Sequence, residues 1–441
     1  MKKTGAQILW ESLVREGVTC VFGYPGGAIL PAYDAMLDYP IRHILVRHEQ
    51  GATHMADGYA RATGQVGVAI ATSGPGATNM VTGIATAMMD SVPIVCITGQ
   101  VGSKAIGSDA FQETDITGIT LPVTKHNYLV TRPEDVARVV REAFYVARSG
   151  RPGPVLIDIT KDCQQSTCEF VWPEAPTLRG YRPSHTPSTR EVDQAIELIH
   201  SAKRPIILAG RGIELSGARE TVLTFAEQAN VPIATTLLGI GAIPASHPLN
   251  LGMMGMHGEA WVNTAIQEAD LLLAFGMRFD DRVTGNVRTY APDAKKIHID
   301  IDPAELNKNV RVDVGLIGDL RQTIEQLMPR VEARDRSDWI AYISMLKGDS
   351  AVRDIQNLPD NGHLYAAHVI NDLWRETRDR DTIVVTDVGQ HQMWEAQYYK
   401  HESRRSLITS GGLGTMGFAL PAAIGAKVAR PDAEVWVVVG D

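Results

Sequence analysis

The feature that most limits the fold is a repeating unit: a short apolar run that closes on Gly, Ser, Thr or Asp. Such runs occur at Val66–Thr72, Pro93–Thr98, Val155–Ile159, Pro205–Leu208, Leu271–Phe275, Ile297–Ile301, Thr382–Val385 and Glu434–Val439. Helix patterns lie between them. Val192, Ala195, Ile196 and Ile199 mark one apolar face, capped by Ser188 with Glu191 three residues on. Thr4 and Gln7 make a similar capping box for a helix ending near Gly17. Strands alternating with helices predict doubly wound α/β domains with parallel sheets and right-handed crossovers. Ligands then sit beyond the carboxyl ends of the strands, where the Gly, Ser, Thr and Asp residues cluster.

The 441 residues suggest three domains at roughly 150 residues each. Two stretches read as linkers, Ser166–Pro187 and Pro329–His363, the second with Asp360-Asn361-Gly362 as a turn. They divide the chain into domains at 1–165, 188–330 and 363–441. The third is short for a doubly wound domain and ends on the strand Trp436–Gly440 followed by Asp441. A buried parallel strand needs a crossover and a neighbour, so this domain is expected to be incomplete and the polypeptide inactive or impaired alone. With 42 basic and 51 acidic residues the net charge is -9, which argues against a nucleic-acid partner. Cys20, Cys96, Cys163 and Cys168 make neither a disulfide framework nor a CxxC zinc pair. Residues 66–89 are uncharged, but Ser73-Gly74-Pro75-Gly76 interrupts them, so strand, turn and buried helix is the better reading than a membrane span. Glu11, Arg15 and Glu16 break any signal-peptide core, and a cytoplasmic protein is expected.

Six motifs can carry chemistry. Gly23-Tyr24-Pro25-Gly26-Gly27-Ala28 permits positive φ and close ligand approach, or is only a strand-to-helix turn. Glu49, in Arg47-His-Glu-Gln-Gly-Ala52, is either a buried general acid or base or a solvated surface carboxylate. Ala52 stands where a zincin needs its second His, so that reading fails. Ser73-Gly-Pro-Gly-Ala-Thr-Asn79 opens a helix and can hold an anion or simply pack closely. Gly412-x-Gly414-x-x-Gly417 resembles a dinucleotide fingerprint, weak when alone. Arg278-Phe-Asp-Asp-Arg282 is either self-paired or a bidentate grip for carboxylate or phosphate. A carboxylate at Asp441, ending a strand, suits Mg²⁺ with phosphate oxygens.

Together and in order, these pieces resemble the catalytic subunit of acetohydroxyacid (acetolactate) synthase, a thiamine-diphosphate-dependent family. The likeness runs through Gly23–Pro31, Arg47–Ala52, Ser73–Asn79, Asp109–Glu113, Thr124–Tyr128, Gly150–Pro154, Gly255–Gly258, Arg278–Arg282 and Gly389–Trp394. It implies three α/β domains: pyrimidine-binding, central FAD-binding, and diphosphate- and Mg²⁺-binding. It further implies a homodimer or homotetramer, with an active site between the first domain of one subunit and the third of its partner.

The resemblance also assigns residues. Glu49 matches the glutamate at the pyrimidine ring nitrogen, whose proton exchange activates the cofactor. Gly27 and Gln112 match the lining of the reacting carbonyl, and Arg282 the grip on the second 2-keto acid. Gly414 matches the carbonyl that accepts from the 4′-amino group, and Met416 the side chain that bends the cofactor. The apparent dinucleotide fingerprint is then better read as a thiamine loop. Gly389, Gln390 and His391 match the diphosphate turn, and Asp441 the first Mg²⁺ ligand. For FAD the matches are Arg151, Gly210, Gly212, Thr236, Leu237, Met256, His257, Gly276, Arg278, Asp300 and Asp319, with Arg211 departing from the family's run of Gly.

The implied reaction decarboxylates pyruvate and transfers a hydroxyethyl unit to pyruvate or 2-ketobutyrate, the first common step of branched-chain amino acid synthesis. The implied partners are small 2-keto acids and a small regulatory subunit, with no nucleic acid and no membrane. Rival readings are a pyruvate oxidase or decarboxylase, a non-catalytic FAD-binding fragment, and a nicotinamide dehydrogenase. Glu49 disfavours a glyoxylate carboligase.

Overall fold

A computed structural model describes residues 1–440 except Thr177, Ser184 and residues 351–360. Asp441, and Asp360 of the expected turn, lie outside the described residues. The chain divides into two compact units. The first is Met1–Tyr181 with Val385–Val388 and Ile408–Val439, and the second is Arg182–Val384 with Gly389–Leu407 and Gly440.

The strands, in chain order, begin with β1 (Lys2–Thr4), β2 (Cys20–Gly23), β3 (Arg42–Leu45), β4 (Gly67–Ala71), β5 (Ile94–Gln100), β6 (His126–Val130), β7 (Val155–Thr160) and β8 (Thr167–Glu169). A parallel sheet of six runs in the order β3-β2-β4-β5-β7-β6. Alternate residues of its strands feed two cores. Val21, Val68, Ile70, Val95, Ile97 and Ile157 pack against the helices Gly5–Arg15 and Pro133–Arg148. Phe22, Ala69, Ala71, Ile94, Cys96 and Leu156 face the helices Glu49–Thr63 and Val81–Met89. Covering both faces explains why these strands read as unbroken apolar runs.

The second unit continues with β9 (Pro205–Ala209), β10 (Ile233–Thr235), β11 (Asn250–Met253), β12 (Leu271–Phe275), β13 (Lys295–Asp300) and β14 (Val314–Ile317). They form a parallel sheet in the order β11-β10-β9-β12-β13-β14. The first three strands step outward one way and the last three the other, so the order reverses between β9 and β12. Leu271, Leu273 and Phe275 enter one core, and Leu272 and Ala274 the opposite one. The helix Thr189–Ser201 starts on the expected Ser188–Glu191 capping box.

A third sheet has three strands, β16 (Leu407–Thr409), β15 (Thr382–Thr386) and β17 (Glu434–Val438), in that spatial order. Both stretches expected as linkers carry structure of their own. In the first, β8 pairs antiparallel with β1, Thr4 opposite Thr167. With only three residues on each side, and Cys168 the one apolar residue among them, there was no periodic signal to read. In the second, the helix Ser337–Ser350 buries Trp339 and Ile343, and the Trp339 indole donates to the Pro205 carbonyl at 3.1 Å. Trp339–Leu346 is apolar nearly all round, so the sequence does not mark which face is buried. All four cysteines are free thiols. Among the described residues no helix is long and apolar enough to cross a membrane.

Candidate active site

In the first unit the strand order reverses between β2 and β4, so the loops after these strands diverge and leave a crevice. Gly23 ends β2 and Tyr24–Ala28 follow it, and Thr72–Asn79 follows β4. Thr72 joins them. Its hydroxyl accepts from the Ala28 N–H at 3.2 Å, and its side chain fills the space that a Cβ on Gly26 or Gly76 would occupy. Glu49 opens the helix Glu49–Thr63, capped by the His48 ring, which accepts from the Gln50 N–H at 3.1 Å. The carboxyl is 9% exposed; Asn79 Nδ2 donates to its Oε2 at 2.9 Å, while a Cβ on Gly76 would lie 3.2 Å from its Oε1. Glu49 is thus a buried, hydrogen-bonded carboxyl and not a solvated surface one. The Tyr33 phenol is pushed well up, by burial first and by the Glu49 charge second.

Two more expected residues come to the same crevice. Gln112 sits at φ 60°, and its carbonyl lies 2.7 Å from where a Cβ on Gly74 would be. Gly74 has φ 54° and must stay a glycine on both counts. Gly27 is exposed, with open space where its Cβ would stand. Glu49, Gln112 and Gly26 thus each come close to the segment Thr72–Gly76, at Gly76, Gly74 and Thr72 respectively.

Gly414 and Met416 belong to the same unit. Gly414 has φ 69°, and Met416 is 78% exposed. Their loop leads into the helix Ala419–Ala429, which crosses the Glu49 helix at unusually short range. A Cβ on Gly58 would stand 2.0 Å from the Ala422 carbonyl, and one on Gly425 would stand 2.0 Å from the Met55 carbonyl. Asp387, unmarked by any motif, fixes the loop's end: its carboxylate accepts from the Gly417 and Ala419 N–H groups.

In the second unit, residues expected for FAD gather at the carboxyl ends of β9, β10, β12, β13 and β14. At the reversal, Gly212 donates its N–H to the Gly276 carbonyl at 2.9 Å. A Cβ on Gly276, whose φ is 57°, would lie 2.6 Å from Gly212 Cα. Thr236 follows β10, bonds through its N–H to the Ala209 carbonyl and caps the turn Leu237–Gly239. Asp300 ends β13 and accepts from the Asp302 N–H; Asp319 caps the helix Leu320–Leu327. Arg151 belongs to the first unit, where its Nε donates to Ser91 Oγ at 2.9 Å.

Arg282 shares the second unit with Met256 and His257. Its guanidinium is 62% exposed and its Nη1 rests 3.0 Å from Met256 Sδ; its carbonyl accepts from the Met256 N–H at 2.8 Å. His257 titrates below its ordinary value, through burial first and the Arg282 charge second. Within Arg278–Arg282 the self-pairing is loose, with Arg278–Asp280 at 3.7 Å and Arg282–Asp281 at 3.9 Å. Asp280 serves instead to cap the short helix Asp281–Thr284.

Gly389 (φ 137°) stands at the N-cap of the helix Gln390–Tyr398 and makes no side-chain cap hydrogen bond. The His391 ring stands 3.3 Å from where a Cβ on Gly389 would be and 3.5 Å from the corresponding point on Gly440. Among the described residues no cluster of three His, Cys, Asp or Glu side chains can hold a metal, and Asp441, the expected ligand, lies outside them. Sequence reading overlooked Thr72, Asn79 and Asp387 as site residues. Thr72 immediately precedes the motif Ser73–Asn79, Asn79 is that motif's last residue, and Asp387 stands two residues before the Gly389 turn.

Comparison with known proteins agrees with this layout. Residues 3–119 match the N-terminal TPP binding domain of thiamine pyrophosphate enzymes, residues 192–327 their central domain, and residues 387–441 their C-terminal TPP binding domain. The acetolactate synthase large subunit of Corynebacterium glutamicum is 50% identical over 446 residues, covering 100% of this chain and 71% of that protein. Acetolactate synthase of Mycobacterium bovis is 50% identical, covering 99% of this chain and 72% of the relative. A probable acetolactate synthase large subunit of Methanocaldococcus jannaschii is 48% identical, covering 99% of this chain and 75% of its own length. With half its residues shared along its whole length, and with three thiamine pyrophosphate enzyme domains in order, the chain belongs to the acetolactate synthase large-subunit family.

Proposed function

We propose that this protein forms 2-acetolactate from two molecules of pyruvate, or 2-aceto-2-hydroxybutyrate from pyruvate and 2-ketobutyrate. The observation that carries the reading is the whole-chain identity to acetolactate synthase large subunits, joined to a buried carboxyl at Glu49 held by Asn79. Thiamine diphosphate, when bound, supplies the carbon nucleophile that cleaves and joins 2-keto acids. Glu49 would be the residue that exchanges a proton with the pyrimidine ring, with Asn79 holding its carboxyl by the hydrogen bond to Oε2. The Gly414 carbonyl would accept from the amino group, and the exposed Met416 side chain would support the ring system. Gly27 and Gln112 line the reacting carbonyl, where open space beside Gly27 leaves room for substrate. Arg282 receives the carboxylate of the second keto acid; its exposed guanidinium supports this role.

Gly389, Gln390 and His391 would hold the diphosphate at the start of the helix Gln390–Tyr398, and the carboxylate of Asp441 would serve as a ligand for Mg²⁺, which would neutralise phosphate charge. FAD is held by Gly210, Gly212, Thr236, Leu237, Met256, His257, Gly276, Arg278, Asp300 and Asp319, with Arg151 contributing. The glycine-lined reversal between β9 and β12 supports a dinucleotide there. Its role is structural, since decarboxylation and carboligation need no net electron transfer. A homodimer or homotetramer is supported by the exposed apolar side chains of Leu413, Met416 and Leu420. A small regulatory subunit is suggested by the name of the relatives, which are large subunits.

The test supplies pyruvate, thiamine diphosphate, Mg²⁺ and FAD to the enzyme and identifies the product. Acetolactate supports the reading. Acetaldehyde or an oxidised acetyl product without acetolactate replaces it with a decarboxylase or an oxidase.

A further inference from the structure

The helix Glu49–Thr63 carries an ion network that none of the roles above uses. Arg61, Asp57 and Asp90 are all buried, at 6%, 0% and 1% exposure. Arg61 Nε donates to Asp57 Oδ1 at 2.6 Å, and its Nη2 donates to Asp90 Oδ2 at 2.8 Å. Two carboxylates against one guanidinium leave an uncompensated negative charge. Backbone donors meet it: the Gly412 N–H reaches Asp90 Oδ1 at 2.7 Å, and the Gly411 N–H reaches Oδ2 at 3.1 Å. Arg61 Nη1 donates to the Thr409 carbonyl at 2.8 Å. Further along, the Thr415 and Thr86 hydroxyls meet at 2.8 Å. Four positions between Thr409 and Thr415 are thus held by side chains of the Glu49 helix and of the helix Val81–Met89 with its cap, Asp90.

Stability alone does not explain this. Desolvating buried charges offsets their attraction, and apolar residues of similar volume often serve a core as well or better. What the network provides is position. Asp90 is itself fixed, because Ser91 beside it (φ 57°) accepts from Arg151 Nε at 2.9 Å. We propose that Asp90 and Arg61 are positioning residues that latch the Gly411–Thr415 segment, and so set Gly414 and Met416 relative to Glu49. This rests on the thiamine reading of that loop.

The test uses the enzyme carrying Asp90→Asn, Arg61→Lys, Arg61→Ala or Thr86→Ala. Before cofactor is added, hydrogen–deuterium exchange at residues 410–417 should quicken in Asp90→Asn, while the Glu49 helix stays protected. With thiamine diphosphate, exchange of the C2 proton should slow about a hundredfold, the cost of a small misplacement. FAD content should hold in every folded variant, and Thr86→Ala should also keep the wild-type melting temperature. Arg61→Lys should recover part of what Arg61→Ala loses. If Asp90→Asn does not fold, Thr86→Ala decides, since it removes one tether and no charge: slowed C2 exchange supports the latch. Unchanged loop protection and C2 exchange in the folded variants overturn it. Wild-type enzyme that exchanges C2 but makes no acetolactate overturns the functional reading and leaves the latch standing.

Discussion

Asn79 Nδ2 and Glu49 Oε2 are 2.9 Å apart, one at the end of the turn after β4 and the other at the start of the next-to-core helix. The contact gives a buried carboxyl a fixed orientation. Glu49→Gln keeps the shape and one acceptor for Asn79, so folding should be nearly unaffected. Exchange of the thiamine C2 proton should slow by about 10²- to 10⁴-fold, the usual worth of a general acid–base group. Exchange at the wild-type rate, followed by NMR after acid quench, rejects the role.

Gly276 and Gly212 make a backbone-to-backbone contact that admits no Cβ, 2.6 Å being well inside van der Waals distance. Gly276→Ala also places an L side chain at φ 57°. The cleft at the β9–β12 reversal should distort, at a cost of about 1–3 kcal/mol. The purified variant should retain much less flavin absorbance than wild type. Full flavin content at unchanged affinity shows that FAD is not held there.

Arg282 offers a planar fork, and Lys a point charge. Arg282→Lys should raise the Michaelis constant for the acceptor keto acid about tenfold, the equivalent of one lost charge-assisted bond of ~1.4 kcal/mol. The protein's melting temperature should not change, because the guanidinium is 62% exposed. Steady-state kinetics with pyruvate that match wild type exclude the grip.

His54 lies in the contact between the Glu49 helix and Phe418, whose ring meets it edge-on at 5.2 Å. Burial first, and the Arg61 charge second, lower its pKa from 6.5 to about 4. The folded state therefore binds fewer protons than the unfolded state between these values. Its contribution is fully present above pH 6.5 and is lost as pH falls toward 4. Over that window the loss is ~3 kcal/mol. Denaturant melts at both ends of the window should show His54→Gln losing less stability on acidification than wild type by about that amount. Equal losses in the two proteins show that His54 does not carry the acid limb.

Much of the fold was legible because buried parallel strands write themselves as apolar runs. Leu271–Phe275 was read with its bounds unchanged, and Val155–Ile159 gained only Thr160. The caps at Thr4 and Ser188 were legible for a local reason: donor and acceptor are three residues apart. The helix Ser337–Ser350 was not legible, because the surface that selects its buried face, around Trp261 and Pro205, is far away in sequence.

The same division holds at the site. Sequence alone determined the glycine turns, the alternation of strand and helix, and the family, since these depend on residue identity and spacing along the chain. Tertiary structure alone decided that Glu49 is buried and paired with Asn79, and that Thr72 bridges two loops. It also decided that Arg61 and Asp90, 29 residues apart, share a buried charge with the backbone of Gly411 and Gly412. Charge compensation and burial depend on which surfaces meet in space, and the order of strands in the sheet sets that meeting.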